Sequence, residues 1–457
     1  YHIYCLRVDH YRGFGIRAGS LSYLPLVWII GMLLSAIVLV PFAEYVFHST
    51  RMGGFGYDEL TKWSYHPMEL LQLFVPYVFG STVPMTRWFG QYWLDTFYVG
   101  VLPLLLVVCA LRWSKKGMSY FLIGVVVCSL LLAFGKYTPL FSVIRYVPGV
   151  NMIHYPVKYL FLAGFSLSIL AGMGFSVLFE KMGKKETGGM QRALITVILI
   201  ALGMLISGAL ADKVFFNAFE QVYPQTLFHK IVGTHAAYLA IFKGYSIYVL
   251  TLIAVSLLLL FTARGRIPVT AAKIAAILLL LADLTFVARP DDALIESSNY
   301  TRPTDLVRLL KADSSPFRIF SLSYATFEGF MHIPNVPFTR TFETLKNFMM
   351  PNLSLLFGVD TVDEYAEMLV TRYYALFQPV KEFYRPEKVL IAPPHFSRQM
   401  LNLLNVKYLI SSYRLDDGSF KTVQGGPVKV YENTEVLPRA FFVSNASVYC
   451  DDNEVLA

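Results

Sequence analysis

The chain has 457 residues, of which 55% are hydrophobic and only 15% charged, with a mean hydropathy of +0.51. Soluble domains average about 25% charged residues, so the composition argues against an ordinary soluble protein and for a membrane protein. The net charge of +8 does not indicate nucleic acid. No basic run is interleaved with aromatics, and short cytoplasmic loops of membrane proteins are themselves rich in Lys and Arg.

The chain opens on "YHIYCLRVDHYRGFGIRAG" and closes on "DDNEVLA". It reads as a fragment with its N-terminal part missing and its C-terminal end cut short. A spanning helix needs about 20 mostly apolar residues. Seven such stretches are expected, near 22–42, 97–112, 119–135, 159–179, 193–211, 245–263 and 267–288. The last contains Lys273 and Asp283, each expected to reach an interface.

Basic residues alternate between connections. One set carries Arg7, Arg12 and Arg17, then Arg112, Lys115 and Lys116, then Lys181, Lys184, Lys185 and Arg192, then Arg264 and Arg266. The longer loops 43–96, 136–158 and 212–244 each hold only about three basic residues. The positive-inside rule then places the long loops outside, together with everything after 288. The first long loop contains an apolar half-span, "WSYHPMELLQLFVPYVFGS" at 63–81. Pro67 is expected to start a helix of about a dozen residues along the outer interface, and Pro76 to bend it. His66 and Glu69 are expected at the aqueous rim.

Beyond Arg289-Pro290 the composition changes. "FRIFSL", "KYLISS", "VKVYEN" and "AFFV" have strand character, and "TDLVRLLKAD" and "SRQMLNLLNV" read as short amphipathic helices. These patterns predict a polytopic α-helical membrane domain over 1–290 and an exported α/β domain over 291–457. Of the four cysteines, Cys109 and Cys128 lie in spans, and Cys5 and Cys450 lie near the ends. They form neither a zinc spacing nor a disulfide framework. No cofactor is indicated, and dependence on a divalent metal is left open.

Polar residues gather in the outer loops while the spans are nearly free of charge. Arg51, Arg145, His154 and Lys158 are candidates to hold a phosphate. The last two are expected at the mouth of a helix beginning near Pro156, where free N–H groups favour anions. Glu44, Trp63, His66, Glu69, Trp93 and Asp95 are candidates for a substrate or acceptor cavity. Each also has a plainer reading as an ion pair or an interfacial aromatic.

The segments "PFAEYVFHSTR", "YHPMELLQLFVPYVFG", "YWLDTFYVGVLPLLL" and "FGKYTPLFSVIRYVPGVNMIHYPVKYLFLAGFSLSILAGMG" resemble the YfhO-like family of bacterial membrane proteins, within the GT-C class of glycosyltransferases. "LNLLNVKYLIS" and "VKVYENTEVLPRAFFV" resemble its closing signatures. The resemblance implies a multi-pass enzyme of the bacterial cytoplasmic membrane. Its donor would be a polyprenyl-phosphate sugar and its acceptor a cell-surface glycan such as a teichoic acid. It also implies a catalytic aspartate in a first outer loop expected to precede Tyr1, so no catalytic base is assigned. The family carries arginines where this chain has His154 and Lys158. A lipid-linked glycan transporter or flippase, an envelope-glycan polymerase or ligase, and a non-catalytic scaffold are the competing expectations.

Overall fold

The computed structural model describes residues 23–81, 87–147, 149–223, 234–288, 296–322, 345–350, 352–363, 366, 368–383, 395–411, 414–415, 418, 420–445 and 447. Expectations for Arg7, Arg12, Arg17, Cys5, Cys450 and Arg289-Pro290 lie outside them. The chain divides into two compact units, one over Gly54–Asp292 and one formed by Pro25–Gly53 with Ala293–Ala457.

The first unit is helical. Its long elements are α2 (Val101–Trp113), α3 (Lys116–Ala133), α4 (Leu160–Gly183), α5 (Gly188–Leu210), α6 (Asp212–Val222), α7 (Thr234–Ala263) and α8 (Val269–Ala288), preceded in the chain by α1 (Leu24–Phe47) of the other unit. Six helical segments are long and apolar enough to cross a membrane: Pro25–Phe47, Lys116–Ala133, Pro156–Gly183, Gly188–Leu210, Ala237–Ala263 and Val269–Ala288. The stretch expected at 97–112 forms only the 13-residue α2. At 1.5 Å per residue α2 measures roughly 20 Å, short of a bilayer core of about 30 Å. The 212–244 loop is also shorter than expected, because α6 and the first turns of α7 occupy most of it.

Asp283 explains where α2 begins. Its carboxylate accepts hydrogen bonds from the Val101 N–H (3.0 Å) and the Tyr98 hydroxyl (2.9 and 3.0 Å). Asp283 is buried, so it does not meet the interface as expected. It instead satisfies the orphan donors of a helix N-terminus, where negative charge is favoured.

α4 packs along α2 and α3, and α7 along α5 and α8. Leu102, Leu106, Leu122, Val126, Leu167, Leu170, Val255 and Ala272 share one apolar core. The α2–α4 approach is close: a Cβ on Gly174 would lie 1.8 Å from the Leu106 carbonyl oxygen. Small residues at such crossings let helices touch by backbone, which is how packing holds helices where lipid supplies no hydrophobic drive.

The second unit joins α1 to an α/β fold. A four-stranded sheet has the order β1–β2–β4–β3, with β1 (Arg318–Ser321) parallel to β2 (Val406–Ser411). β4 (Lys429–Asn433) is antiparallel to both β2 and β3 (Phe420–Gln424). α9 (Asp305–Ala312), α10 (Thr371–Phe383) and α11 (His395–Leu403) accompany it. Thr304 caps α9 through the Val307 N–H, and Leu306, Val307 and Leu310 bury its apolar stripe. "AFFV" (440–443), expected as a strand, is irregular and exposed. Its apolar run has no paired neighbour, whereas β3, less apolar, is fixed by its hairpin with β4.

Within its own unit, no described residue covers the apolar window of α1. The segment after it is tied to the α/β fold by backbone bonds: Thr50 N–H to the Leu369 carbonyl (2.8 Å) and Thr371 N–H to the His48 carbonyl (2.9 Å). The Tyr45 hydroxyl donates to the Met368 carbonyl.

Candidate functional site

In the helical unit the loops 54–100 and 134–159 carry most of the polar residues singled out above. The half-span is shorter than expected. Pro67–Leu73 is a 3-10 helix of seven residues, and the chain leaves it before Pro76. His66 caps it: Nδ1 accepts from the Met68 N–H (3.1 Å), and the His66 N–H donates to Glu69 Oε2 (2.8 Å). This reciprocal capping box, with Pro at the first position, explains why so short a helix forms.

Glu69 therefore does not face an aqueous rim. It is 0% exposed and bonded through Oε1 to Arg87 Nη2 at 2.6 Å, with Arg87 itself 1% exposed. Burial pushes the Glu69 carboxyl upward, and the His66 N–H and the Arg87 guanidinium pull against it. The Tyr65 phenol, raised by burial, donates to the Glu69 carbonyl (2.6 Å). Gly90 has φ +85°, and a Cβ there would strike the Glu69 carboxylate. Arg87 Nη1 also donates to the Asp95 carbonyl (2.7 Å), while the Asp95 carboxylate accepts from Ser81 (2.9 Å). Glu69, Arg87 and Asp95 thus brace the loop from inside. Arg87 and its helper Gln91 were not anticipated, because nothing in the sequence marks which Arg will be buried.

The exposed side of the same loops is different. Tyr155 adopts φ +70°, an uncommon region for a bulky residue. Its ring stacks on His154 (3.6 Å between centroids), meets Trp93 (4.8 Å) and lies under the Lys158 ammonium (4.7 Å). Lys158 also sits over Trp93 at 5.0 Å, and Trp63 closes edge-on to Tyr155 and Tyr92 (6.5 and 5.9 Å). Cation–π contacts favour this placement of Lys158, which has no ion pair among the described residues. Tyr155 and Tyr92 carried no distinguishing signal in the sequence.

Lys158 belongs to the 3-10 turn Pro156–Tyr159 that leads into α4, so the expected helix start near Pro156 places it at a helix mouth. His154 is buried, pressed between Phe55 (4.4 Å) and Tyr155, with Nδ1 3.5 Å from Glu59 Oε1. Its imidazole is committed to that packing and does not stand open to a phosphate. Arg145 caps a short helix, Leu140–Ile144, lies over the rings of Tyr57 (5.5 Å) and Tyr146 (4.7 Å), and donates to the Tyr146 hydroxyl. Arg51 and the exposed Glu44 belong to the other unit. The four phosphate candidates are therefore not one cluster within either unit.

A cavity of about 800 Å³ is lined by Trp93, Phe97, Lys158, Leu160, Phe161, Phe165 and Leu284 among others. Its walls are largely apolar, and Lys158 is the cation that lines it. Among the described residues no group of three or more His, Cys, Asp or Glu is placed to hold a metal.

Six helices long and apolar enough to cross a membrane mark a multi-pass membrane protein, and its helical unit holds a largely apolar cavity lined by Lys158 and Trp93 among others. No protein-family model, curated protein or solved structure matches the chain.

Proposed function

We propose that this chain is a GT-C-type membrane glycosyltransferase, similar to the YfhO-like family. It would transfer a sugar from a polyprenyl-phosphate donor to a cell-surface glycopolymer at the outer face of the bacterial cytoplasmic membrane. The observation that carries this reading is the largely apolar cavity of about 800 Å³ with Lys158 and Trp93 among its lining residues. An isoprenoid tail suits the cavity walls, a phosphate suits the ammonium, and a sugar suits the faces of Trp93 and Tyr155. The acceptor oxygen attacks the anomeric carbon, and the bond from that carbon to the phosphate oxygen breaks. The lipid phosphate leaves with the electron pair, and the acceptor proton passes to a general base. Lys158 stabilises the departing phosphate. None of the described carboxylates is assigned as the base, since Glu69 and Asp95 are engaged within the loop.

The location also has support. Residues 45–50, at the end of α1, are hydrogen-bonded to residues 368–371. The end of α1 and the α/β fold then share one side of the bilayer, which requires an even number of crossings between them; this reading therefore counts α2 as a short crossing, met by local thinning of the bilayer, together with the five later long helices.

The test uses the full-length protein in proteoliposomes with a labelled polyprenyl-phosphate sugar. Lys158→Ala is expected to lower donor affinity about 10- to 100-fold, the worth of one charge-assisted contact. Lys158→Arg is expected to retain most of it. Wild-type donor affinity in Lys158→Ala defeats the phosphate assignment. Donor binding with no transfer to any glycan acceptor, accompanied by movement of the donor between leaflets, favours the flippase.

A further inference from the structure

The α/β unit holds a second cavity, of about 810 Å³, lined by Arg318, Ser354, Asp360, Asp363, Tyr373 and Arg439 among others. It is larger than the packing voids of an ordinary interior and lies in the size range of ligand pockets, roughly 300–1,000 Å³. Its lining is of another kind from that of the cavity lined by Lys158. Two guanidinium groups and two carboxylates face it and cancel in charge. Arg439 Nη2 donates to Asp360 Oδ2 (2.7 Å) and to the Phe317 carbonyl (3.2 Å), and Arg318 Nη1 donates to the Leu404 carbonyl (3.0 Å). Each guanidinium has five N–H donors, so both retain capacity. Ser354 is 0% exposed, and its Oγ has no hydrogen-bond partner among the described residues. At 0% exposure that hydroxyl is closed off from the cavity, so the groups that face a ligand are the Arg and Asp side chains.

We infer that this cavity binds a neutral oligosaccharide. A balanced lining favours neither an anion nor a cation. What it offers is alternating donors and acceptors, including planar groups able to take two adjacent hydroxyls at once. Sugar hydroxyls both donate and accept, so they satisfy the Arg and Asp side chains together. Tyr45 and Tyr373 also line the cavity, and aromatic side chains suit the apolar face of a pyranose. The inference rests on these residues and not on the transferase reading, since binding here is scored without donor or transfer.

The experiment takes the full chain in nanodiscs. Saturation-transfer-difference NMR is run against an array of neutral oligosaccharides spanning α- and β-linked hexoses and N-acetylhexosamines, with glycerol-phosphate oligomers as the anionic comparison. Saturable binding of at least one neutral member is expected, tighter than any anionic one. Arg318→Ala and the isosteric Asp363→Asn are each expected to weaken it about tenfold. Leu355→Trp is expected to block it from the mouth; Leu355 lines the cavity and is 76% exposed, so this variant is expected to fold as wild type does. Failure of every neutral member to bind overturns the inference. So does tighter binding of the anionic oligomer, or wild-type affinity in Leu355→Trp with the thermal transition unchanged.

Discussion

Glu69 and Lys158 are both charged residues near the head of an apolar segment of the helical unit, and they meet opposite fates. Glu69 is sealed against Arg87, receives the His66 N–H, and has no contact with solvent. Lys158 is exposed, rests on two aromatic faces and lines an apolar cavity. The difference teaches that polarity in a loop beside apolar helices has two uses. One is internal: irregular backbone near a membrane must satisfy its own polar groups, and a buried ion pair with a capping box does that. The other is exposed: Lys158 has no carboxylate partner among the described residues and is the cation of the proposed donor site.

Removing the internal brace gives the largest expected effect. Arg87→Leu strands a buried carboxylate and is expected to destabilise the helical unit by about 3–5 kcal/mol, read by denaturant unfolding in mixed micelles. A change below about 1 kcal/mol would mean that the pair is not desolvated. Trp93→Ala probes the exposed use. It is expected to weaken donor binding several-fold, on the scale of about 1 kcal/mol for a cation–π and stacking contact, with unfolding unchanged. A loss of stability equal to that of Arg87→Leu would erase the contrast.

The α/β unit offers a second internal brace for comparison. Partial burial raises the Asp313 carboxyl, but bonds from Lys407, Ser315 and Tyr408 outweigh it and hold the group well below its ordinary range. A carboxyl depressed in the folded state contributes stability that is present above its unfolded pKa. That contribution is lost as pH falls through about 4 and below. Asp313→Asn is expected to cost about 1–3 kcal/mol at neutral pH and to flatten this acid-side loss, seen in melts from pH 7 to 3. The smallest effect is expected from His66→Ala, about 1 kcal/mol for a lost cap, with donor binding unaltered.

Much of the architecture was legible in the sequence because hydropathy windows report directly on what lipid will accept. Six of the seven expected spans fall on long apolar helices, while the run at 97–112 gives only the short α2, and "TDLVRLLKAD" shows its amphipathic stripe before folding. What was not legible depends on partners distant in sequence. Asp283 looks like an interfacial carboxylate until Val101 and Tyr98, more than 180 residues earlier, are found beneath it. Glu69 looks available until Arg87 closes over it. The α1 group, Arg51 and Glu44, falls in a different unit from Arg145 and Lys158, and no local pattern separates them. Lys158 was legible because Pro156 fixes a helix start just before it. Tyr155 was not, since a left-handed tyrosine leaves no mark in composition.

The knot of bonds between residues 45–50 and 368–371 has a consequence for biogenesis. Its Tyr45–Met368 contact joins groups 323 residues apart in the chain, so it cannot close until the intervening helices have left the ribosome. Until then none of these bonds ties α1 to the α/β fold. Final assembly is thereby coupled to correct threading of every later helix, and a chain that inserts one of them wrongly would never complete the clasp.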